Sequence, residues 1–245
     1  MAIQKEIFVS GKIGNVVFYK MYGKFYSRSA PEKVTQTKAM KVHANVFGRA
    51  SGLGRVVRKA LLPVIPFPRD SRMQIRLVSP ILGWLKESGD SDSLRVQKVS
   101  QIEGFQFTAG TPDFFTRWKH GLEIKRAENN LLEIKIPAFI PNEMVTAPKN
   151  TISVKLKIAA VAINSESGES VSTNSSDLLF NYDNTLIAAQ TIPLELKMPA
   201  GSLVVTGASL EYTVMEKNNP VLNLNKSYMP AAIVKAMYIE FYPLL

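Results

Sequence analysis

Residues 151–164, TISVKLKIAAVAIN, place apolar side chains at every second position. A repeat of two is the strand repeat, because successive side chains of an extended chain point to opposite sides. The same period returns in LEIKRA (122–127), LLEIKIPAF (131–139), TLIAAQ (185–190), PLELKM (193–198), ASLEYTVM (208–215) and AIVKAMYIEFY (232–242). Turn signals separate them: Glu128-Asn129-Asn130, ESGES at 166–170, Pro199-Ala200-Gly201 and Asn218-Asn219-Pro220. Short strands with frequent turns predict an antiparallel β-sandwich, of general immunoglobulin-like architecture with about seven strands, from roughly residue 95 onward. The last strand, apolar on both faces over part of its length, is expected to be central or covered on both sides.

The first part of the chain has a different period. Ala39, Val42, Val46, Ala50, Leu53, Val57 and Ala60 recur at spacings of three and four, which predicts a helix from about Thr35 to Leu62. Ala44, Gly48 and Gly52 form a smooth line where another backbone could approach closely. Gly48, Gly52 and Gly54 invite a break near residue 52, and Pro63, Pro66 and Pro68 end the helix. A second helix is predicted over 71–87, kinked or restarted around Pro80, and the polar run at 87–93 reads as a loop and a boundary. The expected division is therefore a basic hairpin with helices at 1–93 and a β-sandwich domain at 94–245, an α+β protein.

Chemistry is hard to find in this sequence. The chain has no cysteine, which excludes disulfides, thiolate metal sites and a thiol nucleophile. Its histidines, His43 and His120, lie on separate predicted elements without a supporting carboxylate. Gly11-Lys12-Ile13-Gly14 imitates a phosphate loop, but a strand follows it where such a site needs a helix N-terminus. Asp90-Ser91-Asp92-Ser93 lacks the glycine and distal glutamate of a calcium loop and reads as a solvated linker. Asp177 and Asp183 flank LLFNY with nothing to indicate a glycosidase pair. A carbohydrate-binding sandwich would have Trp84 and Trp118 as its stacking platforms. No catalytic residue, metal ligand, cofactor or small-molecule substrate is expected, and the chain is read as a non-enzyme. No apolar run approaches the 20 or so residues of a membrane span, and Lys5 and Glu6 interrupt the place of a Sec-type leader. The expected location is cytoplasmic or particle-associated unless export follows another route.

The strongest remaining signal is charge. Residues 1–62 hold twelve Lys/Arg against Glu6 and Glu32, while the other 183 residues hold 18 basic and 18 acidic side chains. The entire net charge of +10 sits in the first quarter. Within it, residues 6–28 read as two glycine-punctuated strands, with Met21-Tyr22-Gly23-Lys24 as the turn between VVFYK and KFYSR. A lone two-stranded hairpin is marginal in water, so it must pack on a helix, join a larger sheet or pair with another chain. Three readings of the basic region stay open. Its cations and aromatics can bind nucleic acid, its hairpin can add to a neighbour's sheet, or its lysines simply solvate a strand and a helix.

The segment GKIGNVVFYKMYGKFYSRS (11–29), with Pro31 and a helix near Thr35-Gln36, resembles a group of uncharacterised bacterial and prophage-associated proteins. Those begin with a GK-x-G-x-V-V hairpin, a second GK-type strand, a Ser-Arg-x-x-Pro exit and a following helix. The resemblance covers about the first 60 residues, and no activity is assigned to that group. It implies a helix-plus-sandwich layout and a role as a particle or assembly component.

Together these features predict a structural subunit that self-associates through edge strands, in a filament or phage-like particle. Val16, Val17, Phe18, Tyr19, Tyr22, Phe25 and Tyr26 of the hairpin and Ile239 and Phe241 of the last strand are the expected contacts. The alternative is nucleic-acid binding through Lys12, Lys20, Lys24, Arg28, Lys38, Lys41, Arg49, Arg55, Arg58 and Lys59.

Overall fold

A computed structural model describes residues 3–5, 8–30, 36–67, 70–89 and 91–241. The expected strand start at Glu6-Ile7, the break at Pro31–Lys33, the helix start at Thr35, and Pro68, Asp90 and Tyr242 lie outside the described residues. The chain divides into two compact units, Met1–His43 and Ala44–Leu245, and the division falls inside helix α1 (Lys38–Ala60).

The N-terminal unit is a four-stranded antiparallel meander in chain order: β1 (Ile3–Lys5), β2 (Phe8–Ile13), β3 (Val16–Met21) and β4 (Lys24–Ser29). The two strands read from the sequence are thus part of a wider sheet. Gly11, expected to bend the chain, lies inside β2 with φ 116°. Gly14 opens the β2–β3 turn at φ 55°, where a two-residue hairpin of the II′ kind needs positive φ first. Tyr22 and Gly23 form the β3–β4 turn at φ 49° and 78°, both positive as a I′ turn requires. That turn matches the right-handed twist of its strands and sets the register Tyr19↔Tyr26, Lys20↔Phe25, Met21↔Lys24.

The larger unit has three layers. Its main sheet runs β11 (Asn219–Leu222), β10 (Ser202–Glu216), β7 (Thr151–Asn164), β8 (Ser170–Asn181), all antiparallel. β12 (Ala231–Tyr238) shares the β11 side of β10, pairing with Leu203–Ser209, where β11 pairs with Thr213–Glu216. The second sheet runs β5 (Glu123–Arg126), β6 (Leu131–Ile136), β9 (Gln190–Glu195). Two turns between strands carry paired positive-φ residues, Asn129-Asn130 and Lys217-Asn218, and Pro193 and Pro220 sit on the edge strands β9 and β11.

Alternation along β7 explains why this sheet is covered twice. Val154, Leu156, Ile158, Ala160 and Ala162 face the second sheet in one core, with Leu132, Ile134, Leu194 and Tyr212. Ala159, Val161 and Ile163 face the helices in the other, with Leu53, Val57, Leu77 and Trp84. The sandwich is therefore present, but a helical layer shields its outer face. This layer consists of the part of α1 within this unit, α2 (Met73–Ser88), α3 (Asp92–Lys98) and the 3₁₀ turns Leu62–Val64 and Val99–Ile102. Helical residues from Ala50 to Leu85, expected to group with the hairpin at 1–93, share a core with the sheet instead. The one-turn helices α4 (Phe114–Arg117) and α5 (Pro141–Met144) complete the fold.

Three local expectations change. α1 runs unbroken through Gly48, Gly52 and Gly54, and α2 runs unbroken through Pro80, at the cost of one helical donor to the Arg76 carbonyl. The smooth line at Gly48 and Gly52 faces open space; the close approach is at Gly54, where a Cβ would lie 3.3 Å from Gln74 Nε2 and 3.4 Å from Val78 Cγ2. Finally, the supposed linker at 87–93 shortens to a few residues, because α3 starts at Asp92.

Candidate self-association and polyanion surfaces

Strand alternation and register sort the N-terminal residues into two faces. Lys12, Val17, Tyr19, Met21, Lys24, Tyr26 and Arg28 share one. Ile13, Val16, Phe18, Lys20, Phe25, Ser27 and Ser29 share the other. The predicted contact residues are thus divided, and Tyr22 projects from the turn at 92% exposure. On the first face the Tyr19 and Tyr26 rings stack with centroids 5.7 Å apart, and the Arg28 guanidinium lies 5.9 Å from the Tyr19 centroid. On the second, Lys20 Nζ lies 5.2 Å from the Phe25 centroid. No Asp or Glu occurs between residues 8 and 30.

β4 is the edge of this sheet. Among the described residues it pairs with β3 alone, and all six of its residues are exposed. The two-residue turn makes Met21↔Lys24 a hydrogen-bonded pair, and such pairs alternate along an antiparallel ladder. Tyr26 and Arg28 therefore bond inward to β3, whereas the main-chain N–H and C=O of Phe25, Ser27 and Ser29 point to the open edge.

The C-terminal contact expected at Ile239 does not survive. Ile239 is 7% exposed, its N–H donates to the Ser202 carbonyl at 2.9 Å, and its carbonyl accepts from Gly201 at 2.7 Å. The outer edge of β12 is also taken, since residues 104–107 pair along it through Gly104 N–H to the Ile233 carbonyl (2.8 Å) and Phe107 N–H to that of Ala231 (2.9 Å). Phe241, at 53% exposure, lies against Gly201, whose missing Cβ makes room for its ring.

The helix cations separate by use. Arg49 donates to the Ser165 carbonyl at 3.3 Å and Arg58 to Gln74 Oε1 at 3.0 Å, so both tie α1 to its neighbours. Lys38, Lys41, Arg55 and Lys59 are exposed along α1, which contains no acidic residue.

The remaining candidates are structural or solvated. Trp84 and Trp118 are fully buried and cannot serve as sugar platforms: Trp84 Nε1 donates to the Arg95 carbonyl at 3.0 Å, and Trp118 packs on Phe139 and Phe180. His43, His120, Asp177 and Asp183 are exposed. Among the described residues no group of three or more His, Asp or Glu could hold a metal ion, and no helix is long and apolar enough to cross a membrane. No protein-family model matches the chain, and no match was found among curated proteins.

The sequence reading missed a clasp around Asp70. Its carboxylate accepts from Arg72 N–H (2.8 Å), Arg76 Nη2 (2.6 Å) and Ala109 N–H (3.2 Å), while Arg76 donates to the Gln106 and Phe107 carbonyls. The Arg72 N–H, then the Arg76 guanidinium, hold the carboxyl below its ordinary value. A lowered native pKa means that the unfolded chain binds more protons in acid, so this contribution is complete above the unfolded pKa of about 3.9. It disappears as pH falls through the native value. Asp70→Asn should lower the urea midpoint at neutral pH, and the gap from wild type should close when both are measured below the native pKa. A gap that stays constant in acid would contradict the assignment.

Proposed function

We propose that this chain is a non-enzymatic assembly subunit that self-associates through the N-terminal sheet, with strand addition at β4 as the main contact. The observation that carries this reading is the open edge of β4. Its outward N–H and C=O groups at Ser27 and Ser29 have no ladder partner among the described residues, and an edge of that kind is a ready template for another strand. The flanking side chains suit the role. Val16, Tyr22, Phe25 and Tyr26 are large, exposed and apolar or aromatic, and such clusters are uncommon on surfaces that bind nothing. Lys24 and Arg28 sit on the same strand, where charge discourages wrong pairing and leaves association dependent on salt. The partner is a second copy of this chain, and the product is a filament or a phage-like particle.

Removal of residues 1–29 tests the reading. Negative-stain microscopy of the full chain should show assemblies, and the truncated chain should show none. Assemblies of unchanged form after truncation would reject it.

A further inference from the structure

The face of the N-terminal sheet that carries Tyr19 and Tyr26 has a composition unlike the edge beside it. Three cations, Lys12 on β2 and Lys24 and Arg28 on β4, flank two stacked tyrosine rings, one of which, Tyr19, lies on β3 between them. Lys24 and Arg28 lie four residues apart on β4, a span of about 13 Å at the rise of an extended chain. No carboxylate occurs on β2, β3 or β4 to neutralise them. All three cations are exposed, and Tyr26 is 39% exposed. We propose that this face binds single-stranded nucleic acid, the Tyr19–Tyr26 pair stacking on bases while Lys12, Lys24 and Arg28 neutralise the adjoining phosphates.

The chemistry selects single strands. Bases of a duplex are already stacked on one another and present only their edges and backbone. An unpaired strand can lay a base on an exposed ring, and every base has a π-face, so such a site is tolerant of sequence. Self-association through the β4 edge uses main-chain groups in the plane of the sheet. The tyrosine face is perpendicular to those groups, so this inference stands apart from the assembly reading and each can fail alone.

The register gives the test its edge. Lys20 and Lys24 are both exposed and lie close in sequence, yet they sit on opposite faces. Fluorescence anisotropy of the full chain with labelled oligothymidine, oligouridine and a duplex of equal length, at about 50 and 200 mM salt, reads the site. Both single strands should bind more tightly than the duplex. A logarithmic salt slope of about −2 is expected for three phosphate contacts on a single strand. Lys24→Gln should flatten that slope by about 0.7, and Lys20→Gln should leave it unchanged. Tyr19→Ala and Tyr26→Ala should each weaken binding on the order of tenfold, while Tyr19→Phe and Tyr26→Phe retain it, because phenylalanine keeps the stacking surface. The proposal is overturned by no binding at the lower salt, by a duplex bound as tightly as the single strands, by alanine variants that bind like wild type, or by equal effects of Lys20→Gln and Lys24→Gln. Capture by anionic lipid vesicles without capture of either oligonucleotide also overturns it.

Discussion

Arg95→Ala should destabilise the larger unit by about 3–5 kcal/mol, the cost of breaking a buried charged network by removing one partner. Arg95 is 3% exposed. Its Nη1 donates to the Tyr238 hydroxyl at 3.0 Å, its Nε to the Gly89 carbonyl at 3.3 Å, and its guanidinium lies 5.5 Å from the Tyr238 ring centroid. The Tyr238 hydroxyl in turn donates to Asp92 Oδ1 at 3.0 Å, and Asp92 Oδ2 accepts from Phe241 N–H at 3.2 Å. α2, α3 and the end of β12 are therefore closed on one another by a residue that the sequence alone marks only as another cation. Removing it leaves the buried Tyr238 hydroxyl without its donor and takes away the cation that lies 3.7 Å from the partly exposed Asp92 carboxylate. Tyr238→Phe should cost less, about 1–3 kcal/mol, because it removes one hydroxyl and keeps the ring packing on Trp84. Urea unfolding of the two single variants and the double variant measures the coupling. Additive losses would show that the two side chains do not act as one network.

Gly207→Ala should cost about 1–3 kcal/mol although it adds a single methyl group. Gly207 sits mid-strand in β10, beside the bulge at which Thr206 pairs with Lys235 and Gly207 with Ile233, leaving Val234 as the extra residue. A Cβ there would lie 3.0 Å from Val64 Cγ2 and 3.3 Å from both Leu61 Cδ1 and Phe107 Cε2. The 3₁₀ turn Leu62–Val64 thus rests directly on the sheet backbone, and a glycine that ordinarily weakens a strand here permits the helical layer to close. Val64→Ala alone opens a cavity, but in the Gly207→Ala background it also relieves the tightest contact. The double variant should therefore be more stable than the sum of the two single losses predicts, by calorimetry or urea titration. Strict additivity would mean that the turn is free to move away.

What could be read in the chain, and what could not, follows the range of the interactions. The alternation in TISVKLKIAAVAIN is a local consequence of strand geometry, so β7 was open to inference from that stretch, whereas its coverage on both faces depends on a second sheet and helices distant in the chain. Asn129-Asn130 marked its turn because asparagine tolerates positive φ. α1 was visible in its spacing of three and four, yet Ala39 and Val42 on that stripe are exposed, since the buried surface begins further along at Ala50. α3 was hidden because DSDSLRVQ looks solvated, and the bonds that hold Asp92 come from Tyr238 and Phe241, 146 and 149 residues away. Gly54 and Gly207 carried no local sign of their close contacts, which belong to elements distant in the chain. The candidate surface behaved in the same way. Its residue types stood out, but sorting Lys20 from Lys24, or Phe18 from Tyr19, required the register that the Tyr22-Gly23 turn imposes. Burial of Ile239 depended on Gly201 and Ser202, which no pattern in the last strand reveals.

The most direct test of the assembly reading uses the open edge itself. In Ser27→Pro the proline removes one N–H that points away from β3 and leaves the inward bonds of Tyr26 and Arg28 in place. Edge strands accept proline, so the meander should persist while strand addition is blocked. Light scattering over a concentration series should give wild type a mass that is a multiple of the 27.2 kDa chain, and Ser27→Pro the mass of a single chain. A wild-type chain that stays monomeric at every concentration, or a Ser27→Pro variant that assembles as wild type does, would contradict the account.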